Sequence, residues 1–348
     1  MHFPLRKLTA LCVGALIVAL MLGGCGAKKE DAKKMSNPLS EKLSGGKPVN
    51  MLVVGDSISE PAENWPQTVQ QYLIDTYKSD VHLENVSMGG NGSYAGYVRA
   101  MQVDDGLDYD LIIFCHGQND GEHSNCFWYE AMIRACKRKY PNATMISVLE
   151  SAQKAFTETI TNTQAMTDHY GIYQADTITP FMSGDYGEYM SLTYDGCHPN
   201  PAGQAIYANV VEGVIDGIVK DPKPLPAKDI APISEGLEAL EKAEWISWEE
   251  FDYNADTFTY TYTAKEDMSG DMGIDYYHLN IEKNRTVVCA AGKELKVFEF
   301  DWSMWPKQRH ITHVGAFEVK KGETITVTLT NEEAADDFGG ICISNPKD

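Results

Sequence analysis

Four short blocks of this 348-residue chain hold the residue types that acyl transfer needs: Gly55, Asp56, Ser57; Asn85 to Gly90; Gly117, Gln118, Asn119, Asp120; and Asp195 to His198. A serine hydroxyl is a poor nucleophile near neutral pH until a base takes its proton, and neutral imidazole is well matched to that task. Ser57 is therefore read as the nucleophile and His198 as its base. Asp195, three residues earlier across a tight turn, can reach the other ring nitrogen and hold the imidazole in one tautomer. Negative charge that collects on the attacked carbonyl oxygen needs fixed donors, and losing one costs about 2.7–4 kcal/mol. The blocks also supply such donors.

These residues have to be delivered to one place by the elements around them. Met51, Leu52, Val53 and Val54 form an apolar, largely β-branched run that reads as a buried strand ending in the Gly55 turn. A second run, Leu111 to Cys115, carries Asn119 to the same edge, the carboxyl edge of a parallel sheet where open α/β folds bind ligands. The ordered set resembles the SGNH (GDSL-type) hydrolases over about residues 49–220. That resemblance implies a three-layer, flavodoxin-like α/β hydrolase domain with a parallel sheet. It also implies an oxyanion hole made by the N–H groups of Ser57 and Gly90 and by the Asn119 amide, with Gly89 the alternative register for Gly90. Helices are expected at residues 127–139, 152–169 and 202–219, with strands at 144–149 and 172–176.

Other polar residues near the blocks have lesser roles. Asp56 reads as a brace of its own turn. Asn91, Tyr94, Glu122, His123 and Trp128 are candidates to line the substrate pocket, whose loops are placed at 91–98, 121–128 and 177–194. His116, Glu122 and His123 lack any metal-ligand spacing and no phosphate-binding glycine loop is present, so neither metal nor cofactor is expected.

The amino terminus points to export. Arg6 and Lys7 precede an apolar stretch from Leu8 to Leu22, about 15 residues and short of the roughly 20 that span a bilayer. Leu22, Gly23, Gly24, Cys25 resembles a bacterial lipoprotein cleavage site, which implies a signal peptide at 1–24, a lipid on Cys25, attachment to the cell membrane and an outward-facing enzyme. Residues 25–48 read as a flexible tether. The formal charge is -21, or -23 once Arg6 and Lys7 leave with the signal, so there is no basic footprint for a nucleic-acid partner. Cys115, Cys126, Cys136, Cys197, Cys289 and Cys342 show no disulfide spacing and are read as free thiols, with Cys115 and Cys197 the one pair close to catalytic blocks.

Beyond residue 220, Pro222, Pro224, Pro226 and Pro232 mark a linker over 221–239, and residues 240–348 read as a β-sandwich module. Phe258, Tyr260 and Tyr262 alternate with threonines at strand period, and residues 314–329 read as a hairpin about Lys321 and Gly322. The aromatic residues Trp245, Trp248, Trp302 and Trp305 are read as core, with glycan contact the alternative; the module is also placed to pack over the pocket and narrow it. The expected activity is hydrolysis of O-acyl esters, foremost O-acetyl, on a cell-surface or dietary carbohydrate. The alternatives are a lipase or lysophospholipase, and a surface glycan-binding lipoprotein.

Overall fold

The expected strands, joined by an unexpected polar edge strand β2, make a five-stranded parallel sheet of β1 (Val49–Gly55), β2 (Val81–Asn85), β3 (Leu111–Cys115), β4 (Thr144–Leu149) and β5 (Tyr173–Asp176), in the order β2-β1-β3-β4-β5. This computed structural model describes residues 37–344 apart from 61–63, 104–105, 121–123, 228, 235–236 and 238–242, and excepting the side chains of 124–126. Every residue of β3 and β4 is buried, because helices cover both faces of the sheet. The strand order changes direction between β1 and β3, whose register sets Gly55 against Cys115, and this switch point is where the serine and asparagine blocks emerge.

Alternate residues of the strands feed two cores. Met51, Val53, Ile113 and Ile146 pack with α1 (Pro38–Ser44), α2 (Trp65–Tyr77) and α8 (Pro201–Lys220). Leu52, Val54, Ile112 and Phe114 face α3 (Ser93–Gln102) and α4 (Ser124–Lys139), with Met166 and Tyr170 of α5 (Glu158–Tyr170) closing that layer. The helix expected to begin at residue 152 begins at Glu158 instead. Lys154 adopts a left-handed conformation that ends a short turn at Ser151–Gln153, and the Thr157 hydroxyl then caps α5. Two short helices, α6 (Ile178–Phe181) and α7 (Tyr186–Ser191), occupy the stretch read as a loop, and α3 occupies most of 91–98.

Two segments are more ordered than their composition implies. Within the expected tether, residues 38–44 form α1, capped by the Asn37 side chain, with Leu39 and Leu43 fully buried. Two leucines four apart give even a polar stretch one apolar stripe, and that stripe completes the core. The expected signal peptide and the expected lipid site at Cys25 lie outside the described residues. The proline-rich linker is a docked strap. Arg134 donates to the Ile230 carbonyl (2.6 Å), the buried Glu130 accepts from the N–H groups of Ile233 and Ser234, and Leu237 sits in the core.

The carboxyl-terminal module is an antiparallel sandwich. One sheet has the order β11-β10-β13-β8-β7, from β7 (Asp252–Asn254), β8 (Thr259–Thr263), β10 (Asn284–Ala290), β11 (Lys293–Phe300) and β13 (Thr324–Thr328). The other has the order β12-β9-β14-β6, from β6 (Ala243–Ser247), β9 (Met268–His278), β12 (Gln308–Val319) and β14 (Gly340–Ser344). The expected hairpin is absent, since β12 pairs with β9 while β13 pairs with β8 and β10. The turn at Lys320–Glu323, with Gly322 left-handed, carries the chain from one sheet to the other. Tyr260 and Tyr262 face the sandwich core, so that aromatic stripe is packing. Trp245 packs beside the hydrolase core, whereas Trp248 and Trp305 are exposed.

Leu39→Ala is expected to destabilise the protein by about 2–5 kcal/mol, the usual cost of truncating a buried leucine. It should read as a lower urea midpoint at unchanged slope. An unchanged midpoint would place residues 38–44 outside the cooperative fold.

Candidate active site

Close approach of backbones shapes the serine turn. A Cβ on Gly55 would lie 2.1 Å from Ser59 Oγ and 2.5 Å from the Cys115 carbonyl oxygen, so only glycine lets β1 end against β3 there. The Asp56 N–H extends the ladder to the Cys115 carbonyl (3.0 Å), and Asp56 Oδ1 accepts from Ile58 N–H (3.0 Å), closing the turn under Ser57. Asn85 Nδ2 donates to the Ser59 carbonyl (2.7 Å), and the Ser59 and Ser87 hydroxyls share a hydrogen bond, which ties the first two blocks together.

Asp195 and His198 come from the turn before α8. Asp195 Oδ1 accepts from the N–H groups of Cys197 (2.9 Å) and His198 (2.8 Å), and Gly196 provides the left-handed residue the turn requires. The other carboxylate oxygen accepts from His198 Nδ1–H at 2.7 Å. A carboxylate is acceptor-only, so this bond puts the ring proton on Nδ1 and leaves Nε2 free to accept from Ser57 Oγ, 3.0 Å away. Partial burial raises the Asp195 carboxyl, but the hydrogen bonds from His198 and the Cys197 N–H outweigh it and hold the group below its ordinary range.

Asn119 lies on the turn after β3, where Gly117 is in a left-handed conformation and Gln118 N–H donates to Glu150 Oε2 (2.7 Å). Its amide donates to Asp56 Oδ2 (3.2 Å) and to the Asn91 carbonyl (3.3 Å). Gly90 is left-handed, and a Cβ there would meet the Gln308 amide nitrogen of β12 at 2.1 Å. Asp120 accepts from the N–H and hydroxyl of Ser93, capping α3 from a distance.

The candidate pocket residues divide. Glu122 and His123 lie outside the described residues. Asn91, Tyr94 and Trp128 are buried against the module instead of lining the groove. The Tyr94 and Trp128 rings pack on each other (4.6 Å) and on His313 of β12 (5.3 and 4.9 Å), and Asn91 bonds to the Arg309 and Ile311 backbone. Aromatic residues after a catalytic block read as pocket lining, and nothing local announces a partner strand about two hundred residues away. The groove at Ser57, about 1030 Å³, is formed by Asn64, Gln67, Gln71, Tyr194, His198 and Gln204 among others. A smaller pocket of about 390 Å³ lies between Glu60, Met88 and Gly89 on the hydrolase side and Asp275, Gln308 and Arg309 on the module. Apart from His198, and Met88 and Gly89 of the second block, none of these pocket residues stood out in the sequence.

Glu150 was also missed, although a carboxylate directly after a buried parallel strand is a signal. Burial, with Glu150 close by, pushes the Asp56 carboxyl well up, and burial likewise pushes Glu150 up, since no cation among the described residues pairs with either. Cys115 Sγ lies 3.4 Å from Glu150 Oε1 and, like Cys136, Cys197, Cys289 and Cys342, is a free thiol; Cys126 is outside the described side chains. His116 is buried and pushed down to about 3, so its ring is neutral. No cluster of three metal-ligating side chains occurs among the described residues.

Carboxyls raised by folding hold their protons longer folded than unfolded. Their stabilisation is complete below the ordinary carboxyl range, about 4, and is lost as pH rises through the raised values. Glu150→Gln keeps an acceptor for Gln118 N–H and cannot ionise, so it is expected to gain stability on the wild type as pH rises. Denaturant melts at pH 5 and 8 check this; a difference independent of pH would show that Glu150 ionises at no cost.

Residues 53–206 match the GDSL-like lipase/acylhydrolase family. No curated protein matches the chain in sequence. Among solved structures it is similar to a two-domain esterase active on acetylated mannans, co-crystallised with mannopentaose, at a TM-score of 0.69 and 18% identity over 88% of this chain and 94% of that one. A second structure of a two-domain esterase active on acetylated mannans gives 0.68 at 18% identity over the same shares. That likeness covers both the parallel-sheet layer and the antiparallel module, and it is one of fold. The family match spans all four blocks, which the fold gathers on one rim: residues 53–206 form a GDSL-like lipase/acylhydrolase domain, and the protein is a carboxylic ester hydrolase.

Proposed function

We propose that the protein is a serine esterase that removes short O-acyl groups, foremost acetyl, from a carbohydrate outside the cell. The observation that carries the reading is the continuous set of hydrogen bonds from Asp195 through His198 to Ser57, opening on a broad groove edged by amides, prolines and the exposed Tyr194. Side chains that offer methylenes beside amide termini suit sugar rings, which are apolar on their faces and polar at their rims. The groove is open, so a small acyl group fits beside Ser57 while its carrier stays outside. The fold shared with an esterase active on acetylated mannans supports a glycan carrier. Gln308 and Arg309 support contact between that carrier and the module, because they face Glu60 and Gly89 across the smaller pocket.

In this mechanism His198 Nε2 takes the Ser57 proton as Oγ attacks the ester carbonyl. The oxyanion is held by the N–H groups of Ser57 and Gly90 and by the Asn119 amide, one N–H of which leaves its long bond to Asp56 Oδ2 (3.2 Å) for the oxygen while the other stays on the Asn91 carbonyl. His198 then gives the proton to the departing sugar oxygen, leaving an acyl-serine. Water, deprotonated by the same nitrogen, attacks the acyl carbon, and collapse releases the carboxylic acid and restores the serine. Asp195 stabilises the imidazolium formed twice in each cycle.

The export signal and Leu22–Cys25 pattern support lipid anchoring at Cys25, with the enzyme facing outward; among the described residues no helix is long and apolar enough to cross a membrane. Hydrolysis of nitrophenyl esters from acetyl to lauryl tests the chemistry. Acetyl is expected to be cleaved fastest, and Ser57→Ala to lose at least about 10³-fold in kcat. Faster cleavage of octanoyl and lauryl esters would favour a lipase instead, and unchanged turnover in Ser57→Ala would remove the serine from the mechanism.

A further inference from the structure

Asn91 occupies an unusual position. It follows Gly90, is 2% exposed, and all three of its side-chain bonds are to backbone. Its Nδ2 donates to the Gly89 carbonyl (2.7 Å) and the Arg309 carbonyl (2.9 Å), and its Oδ1 accepts from Ile311 N–H (2.9 Å). Arg309 C=O and Ile311 N–H are two residues apart on β12, the outermost strand of its sheet. They are the acceptor and donor that a neighbouring strand would engage as a pair. The Asn91 carboxamide thus stands in for a peptide group on the free edge of the module, and an edge strand is a row of such unmet groups.

The backbone of the same residue enters the site. The Asn91 carbonyl accepts from Asn119 Nδ2 at 3.3 Å, and Gly90 is held between the two anchored residues with the Gln308 amide against its Cα. Gln308 is itself fixed, since its Nε2 bonds to His310 Nε2 (2.9 Å), a ring kept neutral by burial. Both outlying oxyanion donors therefore take their positions from a loop whose anchor is in the module.

We propose that Asn91 is a positioning residue through which the free edge of β12 sets the oxyanion hole, so that the β-sandwich module is part of the catalytic unit. This rests on the serine-esterase reading. The module acts on the transition state through Gly90 and Asn119, independently of any glycan it touches.

A double-mutant cycle on the full chain tests it, with acetyl ester turnover, inhibition by a short alkyl boronic acid as a tetrahedral mimic, and thermal melting read together. Asn91→Ala is expected to lower kcat by tenfold or more at little change in KM, and to weaken boronic acid binding in parallel. Because it acts through Asn119 in part, its loss in an Asn119→Ala background should be clearly smaller than in the wild type. If Asn91→Ala does not fold, Asn91→Asp carries the same cycle: it keeps the acceptor for Ile311 N–H and turns an oxygen toward the Gly89 and Arg309 carbonyls. A kcat within twofold of wild type, or losses that multiply fully with Asn119→Ala, would overturn the proposal. Ser57→Ala run alongside separates the two failures. A wild type whose turnover survives that change defeats the serine mechanism, whereas Ser57-dependent turnover indifferent to Asn91 defeats only the coupling.

Discussion

The site stands on a carboxylate that has no contact with water. Asp56 is fully buried at the switch point of the sheet, and its two oxygens bind the turn that presents Ser57 and the amide of Asn119. Burying such a group without a cation is costly unless hydrogen bonds or a proton offset it. Here Glu150 is buried and Asp120 half-buried nearby, and each is also raised by desolvation. The crowding favours protonation within the cluster and so opposes the build-up of negative charge beneath Ser57 and Asn119, where full ionisation would work against an oxyanion. In a low-dielectric setting the same bonds are stiff, which is what a hole of fixed donors requires.

Above this foundation the site is wet. The side chains of His198 and Asp195 are 42% and 54% exposed, and the groove beside them is broad. Hydrogen bonds in an exposed dyad are weakened by competing water, so exclusion of solvent falls to the substrate. A bulky carrier that covers the rim does this and a small ester does not. A buried foundation at Asp56 beneath an open rim leaves room for a large substrate bearing a small acyl group, in line with the two walls that the hydrolase domain and the module present around Gly89.

Much of this was legible in the sequence because it is local. The central strands β1 and β3 are built on apolar runs, the serine turn is written in Gly55 and Asp56, and Asp195 reaches His198 within one turn, whereas the polar edge strand β2 gave no such signal. The rest depends on contacts that no local pattern encodes. Residues 314–329 alternate as a hairpin would, yet the strands belong to different sheets, because period-two patterning fixes which face is buried and leaves the partner open. Residues 38–44 look like tether until the sheet supplies a surface for Leu39 and Leu43. Asn91, Tyr94 and Trp128 carry the features of pocket residues, being polar or aromatic and close to catalytic blocks. Only the position of β12 turns them into an interface.

That interface alters what the second half of the chain is for. The Tyr94 and Trp128 cluster continues into Ile311 and Cys342, so one apolar core runs through both layers and separating them would expose it. Gly273 on β9 leaves room for the Tyr94 ring: a Cβ there would lie 2.0 Å from the Tyr94 hydroxyl oxygen. A module tethered only to raise local substrate concentration would need a flexible linker and a polar surface toward its neighbour. This one has a docked strap, a shared core and an edge strand closed by the side-chain amide of Asn91. Rigid attachment removes the module's freedom to move apart from the hydrolase domain, and what it gives in exchange is a fixed wall against which a loop of two adjacent glycines can hold one conformation.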